Sequence, residues 1–170
     1  DEKRIEGTRM CTANLDGSDL RILHDGGHFS HFIWQGSERI LGWTNRSEAG
    51  PAFYSIDEHT GEARAIGPDI MDRDGHVNLL PGNEWIVNDS YPRGLETEQR
   101  AQPLYLYHIP TGRRVDLGVF HSPAEYTGEW RCDLHPRCSR DGRFLTIDST
   151  HGRDGRQVYL LDISEHGATS

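Results

Sequence analysis

The 170-residue sequence predicts an all-β fold, a β-propeller built from blades of four antiparallel strands. Three observations carry this expectation. Runs of alternating hydrophobicity recur in sets of four short strands. Between them stand Gln-Gly, Asp-Gly and Pro-Gly-Asn steps, the chemistry of tight hairpins. No run places apolar residues at helical spacing behind a clear capping box. A hydrophobic content of 34% with 19 glycines and 8 prolines points the same way, toward short strands and many turns.

The elements follow in order. RMCTANLDGSDLRIL, from Arg9, reads as two strands turning at Asp16-Gly17. HFSHFIWQGSERILGWT, from His28, is strand, turn at Gln35-Gly36, strand, and AFYSIDEHTGEARAIG continues it with a turn at His59-Thr60-Gly61. The next cycle is GHVNLLPGNEWIVNDSY, turning at Pro81-Gly82-Asn83, then PLYLYHIPTGRRVDLG, turning at Pro110-Thr111-Gly112. LHPRCSRDGRFLTIDS, with its Asp141-Gly142 turn, and RQVYLLDIS make a last cycle of three strands. Leu104 and Leu106 alternate with Tyr105 and Tyr107, as on a strand covered on both faces.

The period, roughly 45–60 residues, is that of four-stranded propeller blades. The reading is therefore about three and a half blades: residues 1–24 end one blade, 25–68 and 69–121 form two, and 122–170 form an incomplete last one. Closed propellers hold about four to eight blades. The chain is thus expected to be the C-terminal portion of a larger propeller whose N-terminal blades lie outside it. A two-sheet sandwich is the alternative, disfavoured by the regular four-strand repeat.

A net charge of −9 argues against a general nucleic-acid or anionic-membrane surface, while leaving room for a local basic pocket. No stretch approaches the roughly 18–20 apolar residues of a membrane span. The opening DEKRIEGTRM is charged and is not a signal peptide. Cys11, Cys132 and Cys138 form neither a C-x-x-C knuckle nor an even disulfide set, and read mainly as buried free thiols.

Histidines recur just before each blade's first strand: His28 and His31, then His76, then His135. In a propeller these positions sit at the mouth of the central channel, where equivalent side chains can converge. The competing reading is a structural hydrogen bond to a neighbouring strand. Converging neutral imidazoles with a carboxylate would bind a first-row divalent metal. A histidine beside it, with arginines, would suit removal of a proton next to a carboxylate. Arg131 and Arg137 flank His135 as candidate carboxylate binders. Asp133 alternates with His135 and reads as a ligand, an orienter of an imidazole or a salt-bridge partner. His121, in VFHSPAEYTGEW, reads as part of a long loop able to cover the channel and touch substrate. His24, His59, His108, His151 and His166 fall in turns or outer strands and receive no role. Trp34, Trp43, Trp85 and Trp130 read as blade packing, with sugar stacking as the alternative.

SHFIW at His31, DGHVNLLPGNEWIVNDSYP at His76, QPLYLYHIPTGRRVDLG, and LHPRCSRDGR at His135 resemble the C-terminal part of the oligogalacturonate lyase family. Those proteins are seven-bladed propellers related to TolB-type repeats. The resemblance implies β-elimination of short α-1,4-linked galacturonides, aided by a manganese-type ion and a histidine base. It makes His31 the base and His76 and His135 metal ligands, with Arg9 a candidate for the assisting arginine upstream of the base. The family's Gln-x-x-His-x-His segment here begins at Cys132 and ends at Arg137, so two of four protein ligands are replaced. The expected partner is a small uronate-containing oligosaccharide, in a bacterial cytoplasmic or periplasmic setting. The alternative is a non-catalytic, TolB-like propeller that binds a sugar or protein ligand. A hydrolase using paired carboxylates is a third reading with little support, since no Asp/Glu pair recurs at channel positions.

Overall fold

The computed structural model describes residues 7–46, 50–91 and 100–166. The chain divides into two compact units, Asp1–Asp74 and Gly75–Ser170.

In the first unit, β1 (Arg9–Thr12) pairs antiparallel with β2 (Arg21–Asp25). A four-stranded meander follows: β3 (Phe29–Gln35), β4 (Arg39–Arg46), β5 (Gly50–Asp57) and β6 (Ala63–Ile66). The second unit repeats the meander with β7 (Val77–Leu79), β8 (Trp85–Asp89), β9 (Ala101–His108) and β10 (Arg113–His121). It ends in a three-stranded sheet of β11 (Arg137–Cys138), β12 (Phe144–Ser149) and β13 (Gln157–Asp162). Among the described residues the only helices are two short 3-10 turns, Gly128–Trp130 and Ser164–His166. Among the described residues no helix is long and apolar enough to cross a membrane.

The central strands hold the core because each is flanked on both edges and covered on its faces. Leu104, Tyr105, Leu106 and Tyr107 of β9 are all buried, so both faces of that strand are covered. Leu104 and Leu106 join Leu80, Trp85, Val87, Leu134, Leu145, Ile147 and Ile163 in the second unit's core. The first unit's core gathers Met10, Leu23, Phe29, Ile40, Ala52, Tyr54 and Ile56. Trp43 and Trp85 are buried, as packing residues should be, whereas Trp34 and Trp130 are exposed.

Turn carboxylates set the hairpins. Asp57 Oδ1 accepts the N–H groups of His59 and Thr60 at 3.0 and 2.9 Å and the Thr60 hydroxyl at 3.1 Å. Asp141 Oδ1 accepts the Ser139 hydroxyl at 2.5 Å and the Arg143 N–H at 3.1 Å. These bonds, led by the Thr60 N–H for Asp57 and the Ser139 hydroxyl for Asp141, favour the ionised form and hold both carboxyls below their ordinary range.

The expected turn at Asp16-Gly17 is present, closed by bonds between Asn14 and Gly17 and between Asn14 and Ser18, with β1 and β2 stopping at Thr12 and Arg21. Three local expectations are corrected. His121 closes β10, paired with Ala101 across a bulge between Asp116 and Gly118, and is not on a covering loop. Asp133 and His135 do not alternate on a strand, since β11 begins only at Arg137. Cys11 is exposed; Cys132 is buried and Cys138 half-buried.

Replacing Leu106, fully buried, with alanine is expected to cost about 2–5 kcal/mol in chemical denaturation. Leu160→Ala, at a side chain 69% exposed, should stay within about 0.5 kcal/mol. The turn carboxylates add a pH signature. A carboxyl whose folded pKa is lowered stabilises fully above its unfolded value of about 3.9 and loses that contribution as pH falls through the folded value. The thermal midpoint should therefore decline on acidification below about pH 4, and Asp57→Asn should flatten that decline.

Candidate metal centre

The centre is assembled in the second unit, from the segment entering β7, the end of β8 and the segment before β11. Gly75 is what lets the first two meet. A Cβ there would lie 1.6 Å from the Asp89 carbonyl oxygen, an approach that no other residue allows. Next to it, the His76 N–H donates to Asp89 Oδ1 at 2.5 Å, and the Asp89 N–H donates back to the His76 carbonyl at 3.3 Å.

Asp89 is 3% exposed. Its carboxylate also takes His76 Nδ1, 3.1 Å from each oxygen, and the His135 N–H at 3.0 Å on Oδ2. A carboxylate only accepts, so Nδ1 of His76 carries the proton and Nε2 carries the lone pair. His135 Nδ1 stands 3.3 Å from the Asp133 carbonyl, which likewise only accepts, so its Nε2 is the lone-pair nitrogen too. Metal-binding histidines are held by this kind of outer contact. The two rings lie 3.7 Å apart between centroids.

The segment around His135 is pinned rather than paired as a strand. Gln102 Nε2 donates to the Cys132 carbonyl at 2.9 Å, and the Asp148 N–H donates to the Leu134 carbonyl at 2.8 Å. His135 itself is left-handed, with φ of 43°, a conformation uncommon outside glycine that is held here by these bonds.

Asp133 completes the set. It is 6% exposed, and Arg131 Nε donates to its Oδ2 at 2.8 Å. Its Oδ1 is buried without a hydrogen-bond partner. A buried carboxylate oxygen left unsatisfied is costly, and a cation would satisfy it. One ligand atom each from His76, Asp133 and His135 lie within 4.8 Å of one another. Two imidazoles and a carboxylate suit a divalent first-row metal, so the residues present fit such an ion. Cys132 is not in this group among the described residues, and burial pushes its thiol up, away from the thiolate that binds metal.

Beside the donors is a hollow of about 170 Å³ lined by Arg131, Asp133, His135, Arg137, Asp148 and Arg156. Arg137 Nη1 donates to the His135 carbonyl at 3.2 Å and stands 4.0 Å from Asp148 Oδ2. His121 lines a different hollow, with Pro123, Ala124, Glu125 and Arg153.

In the first unit, His31 is also left-handed, with φ of 39°. Its Nδ1 is 2.7 Å from Asp74 Oδ1 and 2.7 Å from Ser30 Oγ, and His28 Nε2 is 3.6 Å from the other Asp74 oxygen. Arg9, exposed, is paired with Asp25 at 2.7 Å.

Sequence reasoning did not assign Asp89, Asp74 or Arg156. A signal for Asp89 was present, because Asp-Ser closes the same strand in two cycles, at Asp89-Ser90 and Asp148-Ser149.

No protein-family model and no curated protein matches this sequence. Solved structures do. TolB from Acinetobacter baumannii superposes with a TM-score of 0.70 at 17% identity, over 97% of this chain and 37% of that one. An oligogalacturonate lyase in complex with manganese gives 0.70 at 17%, over 98% of this chain and 44% of that one. The oligogalacturonate lyase of Vibrio parahaemolyticus gives 0.70 at 16%, with the same coverage of 98% and 44%. The chain shares the fold of TolB and oligogalacturonate lyase. It is an all-β chain of propeller blades, spanning less than half the length of each of these proteins.

Asp89→Ala would strand two part-buried N–H groups and one imidazole, and is expected to cost about 2–5 kcal/mol in denaturation. Asp89→Asn, which keeps one accepting oxygen, should fold and bind Mn²⁺ about 10–100-fold more weakly, read by electron paramagnetic resonance titration. Unchanged stability of the alanine variant would remove Asp89 from its organising place.

Proposed function

We propose that this chain contributes the metal-binding part of a lyase that cleaves short uronate oligosaccharides, of the oligogalacturonate type, by β-elimination. The observation that carries the reading is the convergence of His76, His135 and Asp133, whose Oδ1 is buried without a hydrogen-bond partner, beside an arginine-lined hollow.

β-Elimination from a uronate removes the proton next to the carboxylate and expels the glycosidic oxygen one carbon further on. The difficulty lies in the negative charge that spreads onto the carboxylate as that proton leaves. A divalent ion, manganese by analogy with the solved lyase complex, would neutralise that charge when bound. His76 and His135 would hold it through Nε2, with Asp133 Oδ1 as the third donor. Arg131 and Arg137 are the candidate contacts to the substrate carboxylate, and His121 stands as a further, untried one. His31 is the proposed base. Its contact to Asp74 supports this, because a carboxylate on Nδ1 directs the lone pair to Nε2. Arg9 is the assisting candidate, and its partner Asp25 would have to release it.

The second reading is a TolB-like binding propeller without catalysis. It is favoured by the equal likeness to TolB and by the protonated thiol of Cys132 and the exposed guanidinium of Arg137 at two ligand positions.

Two measurements on the full chain separate the readings. Mn²⁺ titration should show one site in the wild type, and His76→Ala should weaken it by more than the roughly 10–100-fold expected of an outer contact. With oligogalacturonates, ultraviolet absorbance should report unsaturated product, and His31→Ala should lower kcat by about 10²–10⁴-fold while Mn²⁺ affinity holds. Metal binding without product across uronate oligosaccharides would favour the binding propeller. No Mn²⁺ site at all would overturn the metal-dependent reading.

A further inference from the structure

We infer that Arg156, together with Arg137, forms a carboxylate-binding pocket beside the metal donors, selecting a singly charged sugar acid over its neutral sugar. This rests on the functional reading above and assigns its anion site to a residue with no prior role.

The pocket is basic within an acidic chain. Three guanidinium groups and two carboxylates line it, leaving one net positive charge where the whole sequence carries −9. The three arginines divide the work. Arg131 directs Nε to Asp133 Oδ2, and its guanidinium lies 5.4 Å over the Tyr91 ring. Besides any contact to substrate, it thus positions the donor carboxylate. Arg137 is tied by one N–H to the His135 carbonyl, and Arg156 Nη2 to the Arg131 carbonyl at 2.5 Å. Each of these two is anchored to a backbone oxygen of the metal-binding segment, Arg156 also meeting the Cys132 thiol, and both line the hollow. A planar carboxylate matches the guanidinium fork geometry.

Arg156 is also well placed in the chain. It directly precedes β13, whose first residue, Gln157, is paired with Ser149 of β12. Its Cα therefore sits one residue before the ladder.

The size and sign of the pocket limit the ligand. About 170 Å³ holds one sugar-acid group and not a chain of them. Asp133 and Asp148 in the lining would repel a dianion, so a carboxylate is preferred over inorganic phosphate. A cation at Asp133 Oδ1 adds positive charge beside the pocket, so metal and sugar acid should each raise the other's affinity by the same factor.

The test is calorimetric titration of the full chain with galacturonate, galactose and inorganic phosphate, each with and without Mn²⁺. Galacturonate should bind more tightly than galactose or phosphate, and more tightly still with Mn²⁺. Arg156→Gln should weaken galacturonate about 10–100-fold, as expected for loss of a charged hydrogen-bond partner, with galactose and Mn²⁺ affinities and the thermal midpoint unchanged. Arg156→Lys, which keeps the charge without the fork, should fall between. Galacturonate affinity within two-fold of wild type in Arg156→Gln would overturn the inference, as would equal losses for galactose or no galacturonate binding by the wild type. A wild type that binds no Mn²⁺ but loses galacturonate through Arg156→Gln would sink the metal reading and leave the arginine pocket standing.

Discussion

The carboxylate of Asp89 is the constraint on which the rest of the centre depends. It is buried at the end of β8, and it accepts two backbone N–H groups and one imidazole N–H. A buried charge is tolerated only where such donors surround it. Here the donors belong to the two histidines themselves, so satisfying Asp89 and placing the imidazoles are one event. Gly75 makes that event possible, because a side chain there would collide with the backbone of β8.

Charge is arranged around this hub in alternation. Asp89 holds the proton on Nδ1 of His76, Arg131 holds one oxygen of Asp133, and the other oxygen of Asp133 is buried without a hydrogen-bond partner. The unsatisfied atom and the two lone-pair nitrogens define the place for a cation, and the guanidinium groups define the place for an anion. Cys132, directly before the arginine-bound Asp133, shows the contrast: burial pushes its thiol up, away from the thiolate that binds metal.

Much of the framework was legible in the sequence because hairpins obey local rules. Asp57 and Asp141 tie their own turns within a few residues, so turn positions could be read from Asp, Thr and Gly alone. Where the local reading went astray, a long-range partner intervened. His121 was drawn into β10 by Ala101, and residues 131–136 were drawn out of a strand by Gln102, Asp148 and Asp89.

By itself the sequence determined the four-strand repeat, the turns and the recurrence of histidine ahead of the blades, since each follows from period-two patterning and turn chemistry over short stretches. Only the tertiary structure decided which atoms of those histidines carry lone pairs, that Asp133 rather than Cys132 joins them, and that Asp89 and Arg156 take part at all. Those outcomes depend on contacts such as the bond from the His135 N–H to Asp89, 46 residues away. Such a contact is set by how neighbouring blades pack and by which buried charge must find its donors, and neither is written in any single hairpin.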